Sequence, residues 1–288
     1  MWPLSKPSHD LRDILNRCRA CMNNVNLANR IETATAALEL AKTHYEAVVT
    51  VGNFYTIPSA DTVAGIVSRE EMEWLYTSKF SKKGSPVRVI YDEILTGAPN
   101  GMCPLCGQRT VSTLDHYLAK SQHPALTVTP VNLVPACRDC NTEKLAHQPS
   151  CAEQQTLHPY YDNVEDGTWL HASVVENMPP AIWFYVDPPT NWPVIKAARV
   201  RFHFSSLKLA RLYGAHAAAE LIQIQFALLK VSERGGPDAV RMHLSDQAES
   251  RRRSNHNSWQ AAMYATLSNS VWFCTDGLHY VRTPLKVT

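Results

Sequence analysis

No run of about eighteen uncharged apolar residues occurs in the sequence, which argues against a transmembrane helix. Residues 1–12 also lack the basic start and apolar stretch of a secretory signal. Internal repeats and low-complexity segments are missing, which argues against solenoids and compositionally biased tracts. We therefore expect a cytoplasmic protein with no membrane partner.

Neither sign of charge dominates, because 28 Lys and Arg residues stand against 26 Asp and Glu residues, a formal net charge of +2. A globally basic surface that would bind nucleic acid by charge alone is thus excluded. Any such attraction must come from local patches such as 82–83 or 251–253. We interpret the run of three arginines at 251–253 as solvated surface, with phosphate contact as the alternative.

Cysteine is present in a pattern that favours metal over disulfides. A chain of 288 residues with 45% hydrophobic content needs no disulfide framework to fold. Six of the eight cysteines form three C-x-x-C pairs, which in a reducing compartment favours metal ligation. The first pair, Cys18 and Cys21, falls on the apolar stripe of a predicted helix and is interpreted as core thiols.

The other two pairs, Cys103 with Cys106 and Cys137 with Cys140, can supply the four soft ligands of a closed tetrahedral zinc site. Such a site is structural, since no position is left open for substrate. The segment 107–136 between the pairs is long enough for two strands, which we expect at 109–116 and 127–135. Good helix formers follow from Cys137 to Ala146.

Several helices are predicted outside this block. An apolar face at helical spacing covers the first helix, and a second is expected over Asn29–Val49 with Asn29 as its N-cap. Ser68, followed by Arg69-Glu70-Glu71, predicts the N-cap of a helix that ends near Phe80. From Ser205 onward the pattern is helical again, with loops expected at 235–237 and 249–257.

Two segments with aromatic and β-branched content, 169–175 and 181–186, predict short strands or a hairpin. On the helix after Cys137, residues Cys140 and Lys144 lie at i+3 and i+7, whereas Asn141 lies about 100° around from Cys140. One flank of this helix can therefore hold zinc while the next faces a second site.

Taken in order, the block reads Cys103-Pro-Leu-Cys106, Thr113-Leu-Asp115-His116, Val131-Asn132-Leu133 and Cys137-Arg-Asp-Cys140-Asn141-Thr-Glu-Lys144. It resembles the HNH, or ββα-metal, endonuclease family in its zinc-stabilised four-cysteine form. The resemblance covers residues 101–145. It implies a zinc-stapled HNH nuclease domain at 99–165. Together with the helices and strands predicted from periodicity, we expect a helix-rich α+β fold with a helical region at 1–98 and a mostly helical region with a short β segment at 166–288.

The resemblance also implies roles for individual residues. His116 would be the general base, and Asn132 would join it in the catalytic set by holding the loop that orients it. Asp115 and Asn141 would hold a catalytic Mg²⁺ or Mn²⁺. Lys144 would contact the substrate. The family often has histidine where this chain has Asn141, which leaves the metal preference open. His123 and His147 flank the motif and are interpreted as solvated loop residues.

The expected reaction is hydrolysis of a DNA phosphodiester that leaves 3′-hydroxyl and 5′-phosphate ends. The segment His158-Pro-Tyr-Tyr-Asp162 resembles one found in HNH proteins of Septu-type bacterial defence systems. That similarity implies an antiphage effector with a companion ATPase or another defence protein as partner. Two alternatives stay open, namely a zinc-stabilised scaffold that binds nucleic acid or protein without cleavage, and an HNH nuclease that cleaves RNA.

Overall fold

The computed structural model describes residues 1–50, 52–144 and 149–281, and these residues form a helix-rich α+β protein with small antiparallel sheets, as expected. The helices are α1 (Leu11–Ala20), α2 (Val25–Thr50), α3 (Arg69–Leu75), α4 (Arg88–Thr96), α5 (Arg138–Lys144), α6 (Val194–Ser206), α7 (Leu209–Ser254), α8 (Trp259–Asn269) and α9 (Val271–Thr275). The strands are β1 (Thr62–Val63), β2 (Val67–Ser68), β3 (Thr113–His116), β4 (Leu133–Ala136), β5 (Leu170–Val175) and β6 (Ala181–Val186). They pair as β1 with β2, β3 with β4, and β5 with β6.

The chain divides into two compact units, Met1–Asn163 and Val164–Thr288. The first unit contains both the N-terminal helices and the cysteine block. Its core combines the buried faces of α1 to α4 with Leu114 of β3, Val128 and Leu133 of β4. The predicted regions 1–98 and 99–165 therefore share one hydrophobic core.

The apolar stripe predicted for the first helix is buried. Leu11, Ile14, Leu15 and Cys18 of α1 are each no more than 1% exposed, and Asp10 caps the helix by accepting a hydrogen bond from the backbone N–H of Asp13 at 3.0 Å. Burial of Cys18 agrees with its interpretation as a core thiol.

The second helix begins four residues before the predicted start. The Asn24 side-chain oxygen accepts a hydrogen bond from the backbone N–H of Leu27 at 3.0 Å, and Asn29 lies inside the helix, so the prediction of Asn29 as N-cap was wrong. The earlier start brings Leu27 into the core. Local sequence could not choose between two asparagines that both suit a cap.

The helix start predicted at Ser68 is confirmed. The Ser68 side chain accepts from the backbone N–H of Glu71, and the Glu71 carboxylate accepts in return from the backbone N–H of Ser68 at 2.9 Å, which is a capping box. Arg30 of α2 donates to the same carboxylate at 2.7 Å. After α3 the chain continues as one π-helical segment, Tyr76–Phe80.

The second unit contains the predicted hairpin. Strand β5 pairs antiparallel with β6 from Leu170 opposite Val186 to Val175 opposite Ala181. Ile182 and Phe184 are buried, whereas the alternating residue Trp183 is exposed, which is the period of a half-buried strand. The hairpin packs on α7 and α8.

The two loops expected in the second unit are shorter than predicted. At 235–237 the predicted loop is reduced to a break in α7 at Gly236, whose backbone is not helical and whose φ of 66° is tolerated because glycine has no Cβ. Pro237 follows at the start of the next helical stretch, where its missing N–H is tolerated. The polar residues 249–254 are also helical, supported by the Arg253 to Glu249 ion pair at 2.8 Å, so the loop before α8 shrinks to 255–258.

In the part of the chain that the structure describes, no helix combines the length and apolar character needed to cross a membrane.

Replacing the capping serine tests the first unit. We expect Ser68→Ala to lower the free energy of unfolding by about 1 kcal/mol, because the N–H of Glu71 loses its acceptor at the helix start. Urea unfolding followed by circular dichroism measures this change. Ser78→Ala, in the π-helical segment that follows, is the matched control and should change stability by less than half as much. Equal effects would mean that the capping box does not stabilise this unit.

Candidate metal centre and active site

The four predicted zinc ligands come together in one buried cluster. The Sγ atoms of Cys103, Cys106, Cys137 and Cys140 all lie within 4.8 Å of one another. Cys103 and Cys106 sit in a tight turn in which the backbone N–H of Gly107 donates to the Cys103 carbonyl at 2.7 Å. The second pair lies at the start of α5.

The charges of the cluster fit a soft divalent cation. A hydrogen bond with Cys103 lowers the pKa of Cys106, and another lowers the pKa of Cys137 to about 6. Conversely, a hydrogen bond with Cys106 raises the pKa of Cys103, and one with Cys103 raises that of Cys140. Zn²⁺ suits the donors, since it binds four thiolates tetrahedrally and stabilises their ionised forms.

The β3–β4 hairpin and α5 place the other predicted site residues. In the antiparallel register Asp115 lies opposite Val134 and His116 opposite Leu133. The order of two strands followed by a helix is the one expected between and after the cysteine pairs. Asp115, His116 and Asn141 line a single cleft of about 400 Å³.

His116 is held as a neutral imidazole. Its Nε2 atom lies 2.8 Å from the carbonyl oxygen of Thr127, and because a carbonyl can only accept, Nε2 carries the hydrogen and Nδ1 keeps a lone pair. Burial lowers the pKa of His116 to about 3, although the bond to Thr127 acts in the opposite direction. The ring also packs edge-on against Tyr76, with centroids 4.5 Å apart.

Asn132 is fully buried and fixes the turn that follows His116. Its side-chain oxygen accepts from the N–H of Leu118 at 2.8 Å, and its amide group donates to the carbonyls of Leu118 at 3.0 Å and Leu126 at 3.2 Å. The Asn132 backbone carbonyl also accepts from the N–H of Tyr117 at 2.8 Å. These bonds hold residues 117 and 118 against the residues that precede β4.

Lys144 forms a buried ion pair with Asp115. Its Nζ atom lies 3.0 Å from Asp115 Oδ2 and donates to the carbonyl of His116 at 2.7 Å, and the two side chains are only 8% and 7% exposed. Burial raises the pKa of Asp115, and the nearby Lys144 opposes that shift. The ammonium group expected to contact substrate is therefore engaged with the site residues themselves.

Asp115 and Asn141 offer a carboxylate and an amide oxygen, which are hard ligands of the kind that Mg²⁺ and Mn²⁺ prefer. Within the described residues, groups of three or more His, Cys, Asp or Glu ligands comprise the four cysteines alone. A cation in the cleft would therefore be held by Asp115 and Asn141 together with water and substrate oxygens.

The cleft residues that were not anticipated from the sequence include Glu73, Tyr76 and Lys120. Lys120 could have been suspected, because it is a cation four residues after His116. Glu73 and Tyr76 belong to the N-terminal helices, and no local signal indicated that they would face the cysteine block.

The flanking histidines have different outcomes. His123 is only 3% exposed, so its interpretation as a solvated residue was wrong. Asn132 holds Leu118 at the start of a turn that places His123 inside the protein. The backbone N–H of His123 donates to the carbonyl of Ala119 at 2.9 Å. His147 lies outside the described residues, as does the predicted end of the helix at Ala146.

His158 is fully buried and its Nε2 lies 2.9 Å from the hydroxyl of Tyr45, which makes the 158–162 segment part of the core.

Comparison with known proteins shows similarity to a phage protein over nearly the whole chain. The chain is 29% identical to Protein ea31 of Escherichia phage lambda over 290 residues, which covers 94% of this chain and 98% of that protein. No protein-family model and no solved structure matches the chain. The similarity to Protein ea31 extends over both compact units and is not confined to the cysteine block.

Zinc content tests the cysteine cluster. We expect about one zinc per chain, and Cys140→Ser should lose the metal and several kcal/mol of stability, because metal binding and folding are coupled at such sites. Elemental analysis and thermal unfolding measure the two effects. Cys151→Ser, a thiol outside the cluster, is the control and should keep both. A Cys140→Ser protein with full zinc would rule out this ligand set.

The Asp115 and Lys144 pair can be tested by a double-mutant cycle. Lys144→Met should lower the free energy of unfolding by about 3 kcal/mol, because a buried carboxylate loses its partner. Adding Asp115→Asn should recover more than half of that loss, which urea unfolding can measure.

An exposed pair provides the control for this cycle. Lys42 lies 3.4 Å from Glu46 with both side chains about one-third exposed, so Lys42→Met should cost less than about 1 kcal/mol. Strictly additive losses from Lys144→Met and Asp115→Asn would contradict the coupling expected for the buried pair.

Proposed function

We propose that this protein is an HNH-type endonuclease that hydrolyses DNA phosphodiester bonds in the cleft formed by β3, β4 and α5. The observation that carries this proposal is the meeting of Asp115, His116 and Asn141 in one cleft of about 400 Å³. A cysteine cluster suited to zinc lies at the start of the same helix that carries Asn141. A cluster of structural thiols needs none of these three polar residues beside it.

His116 is suited to act as the general base. Its Nδ1 lone pair is free of the bond that Nε2 makes, and a neutral imidazole can accept a proton from an attacking water near pH 7. Burial lowers the pKa of His116, which keeps the ring unprotonated but also makes it a weaker base than a free imidazole, so the proposal rests on the position of His116 in the cleft and not on its basicity. Thr127 fixes its tautomer, and Asn132 fixes the turn on its C-terminal side.

Asp115 and Asn141 are the residues that would hold the catalytic cation. A bound Mg²⁺ or Mn²⁺ would offset the charge that builds on the phosphate and the leaving oxygen. Lys144 favours the ionised form of Asp115 and so preserves a charged oxygen ligand despite burial.

Two other functions remain as alternatives. A zinc-stabilised scaffold would use the same cysteines but would gain nothing from a neutral histidine that lines a cleft. An RNA-cleaving nuclease would use the same residues, since the chemistry at the phosphate is shared. Parallel assays with DNA and RNA distinguish these possibilities.

A companion ATPase and a role in antiphage defence are further parts of the proposal. They rest on the resemblance of the 158–162 segment and on the second unit, Val164–Thr288, which exceeds what cleavage requires. The name of the phage lambda relative describes no activity and supports neither part. Purification of a fully active monomer without a partner would count against the requirement for an ATPase.

Cleavage of plasmid DNA tests the proposed reaction. With Mg²⁺ or Mn²⁺ present, we expect His116→Ala to reduce the rate by at least about 100-fold, the usual contribution of a general base. Conversion of supercoiled plasmid on agarose gels measures this rate. His44→Ala removes an exposed histidine of the first unit and should leave the rate unchanged.

The same assay separates the alternatives. Cleavage of RNA but not DNA would replace the substrate in the proposal. Zinc-loaded, folded protein that cleaves neither polymer, alone or with an ATP-dependent partner, would favour the scaffold. Equal activity in His116→Ala and wild type would exclude His116 as the base.

A further inference from the structure

An ion pair in the wall of the cleft joins two parts of the first unit that are far apart in the sequence. The Nζ atom of Lys120, in the turn after β3, is 3.6 Å from the Oε1 atom of Glu73 in α3. Both residues line the same cleft as Asp115 and His116. None of the roles assigned above involves this pair.

The backbone around Lys120 is held firmly. The Asn132 side chain bonds both the N–H and the carbonyl of Leu118, two residues earlier. On the other side of Lys120, the N–H groups of Gln122 and His123 both donate to the carbonyl of Ala119 at 2.9 Å. The Lys120 side chain therefore projects from a turn fixed by the same residue that supports His116.

Glu73 is placed by the helix that begins with the Ser68 and Glu71 capping box. It lies three residues before Tyr76, so the two share one face of the helix. Tyr76 packs edge-on against the His116 ring. The packing of Tyr76 thus holds Glu73 close to the cleft.

The side chains that line the cleft include two acidic groups and one basic group. Among the described residues that line it, Glu73 and Asp115 are acidic, and Lys120 is the one lysine or arginine. The Asp115 carboxylate is already paired with the buried Lys144 ammonium, and the Glu73 carboxylate is paired with Lys120. A phosphodiester that enters the cleft therefore competes with Glu73 for the Lys120 ammonium, which can donate hydrogen bonds to phosphate oxygens.

The pair is also exchangeable. Its side chains are 30% and 33% exposed, in contrast to the 8% and 7% of Lys144 and Asp115. Ion pairs with this exposure are worth less than about 1 kcal/mol, so a phosphate oxygen can take the place of the carboxylate. Lys144 has no such freedom, since its ammonium is buried between Asp115 and the His116 carbonyl.

We propose that Lys120 binds a phosphate of the nucleic-acid substrate in this cleft and that Glu73 is its counter-ion in the free protein, displaced when the phosphate binds. This inference rests on the proposed nuclease function and assigns the substrate contact to Lys120. Glu73 acts through Lys120 as a competitor of the phosphate, which weakens binding of anions that offer little charge.

Binding of a fluorescently labelled DNA duplex, followed by anisotropy in buffer without added divalent cation, tests the inference. We expect Lys120→Gln to raise Kd by about 5-fold and to reduce the slope of log Kd against log salt by about 1, as for loss of one phosphate contact. Lys120→Arg should restore most of the affinity. Glu73→Gln should lower Kd about 2-fold, because the ammonium is freed.

The double variant Glu73→Gln with Lys120→Gln tests whether Glu73 affects binding only through Lys120. It should bind like Lys120→Gln alone, because Glu73 acts only through Lys120. Lys42→Gln removes a lysine outside the cleft that is paired with Glu46 at similar exposure, 32% and 35%, and is the matched control for general charge. Thermal unfolding of each variant shows that the fold is kept.

The outcomes separate this inference from the proposed function. If the wild type cleaves DNA but Lys120→Gln keeps the affinity and salt slope of Lys42→Gln, Lys120 is not a phosphate contact and only this inference fails. If Glu73→Gln binds more weakly than wild type, Glu73 is not a competitor. If the wild type neither binds nor cleaves DNA or RNA, both proposals fall.

Discussion

Four buried thiols whose sulfur atoms lie within 4.8 Å of one another impose the constraint on which the candidate site depends. They join the turn at 103–106 to the start of α5, and the segment between them has to return on itself as the β3–β4 hairpin. Because like charges at this distance repel, a bound cation would stabilise the ionised cluster and with it the local fold. The direction of α5, and with it the positions of Asn141 and Lys144, follows from this closure.

Within the closed segment, hydrogen bonds to the backbone set the geometry of the site. His116 is oriented by the Thr127 carbonyl, and Asn132 holds the backbone of Leu118 from both sides. Lys144 contacts the His116 carbonyl as well as Asp115. Buried polar groups are costly when unpaired, so each bond excludes alternative arrangements of the loop. These bonds thus fix the shape of the cleft in the free protein.

The N-terminal helices belong to this site and are not a separate appendage. Their core is continuous with Leu114 and Leu133 of the hairpin, and Tyr76 reaches the ring of His116. Glu73 is brought to the cleft by the same packing. A substitution in α3 can therefore alter the environment of the proposed base without touching the cysteine block.

Features that depend on short-range spacing were accessible from the sequence alone: the two cysteine pairs, the capping box at Ser68, and the alternation that buries Ile182 and Phe184 in the hairpin. Each is a property of neighbouring residues on one helix turn, knuckle or strand. The conjunction of Asp115, His116 and Asn141 was anticipated through resemblance, and the structure brings them to one cleft.

Tertiary packing decided the rest. It selected Asn24 over Asn29 as the cap by burying Leu27, and it buried Lys144 against Asp115. It also brought Glu73 to Lys120 across 47 positions, the difference between their residue numbers. Such contacts are set by which apolar faces share a core, and no local pattern records that choice.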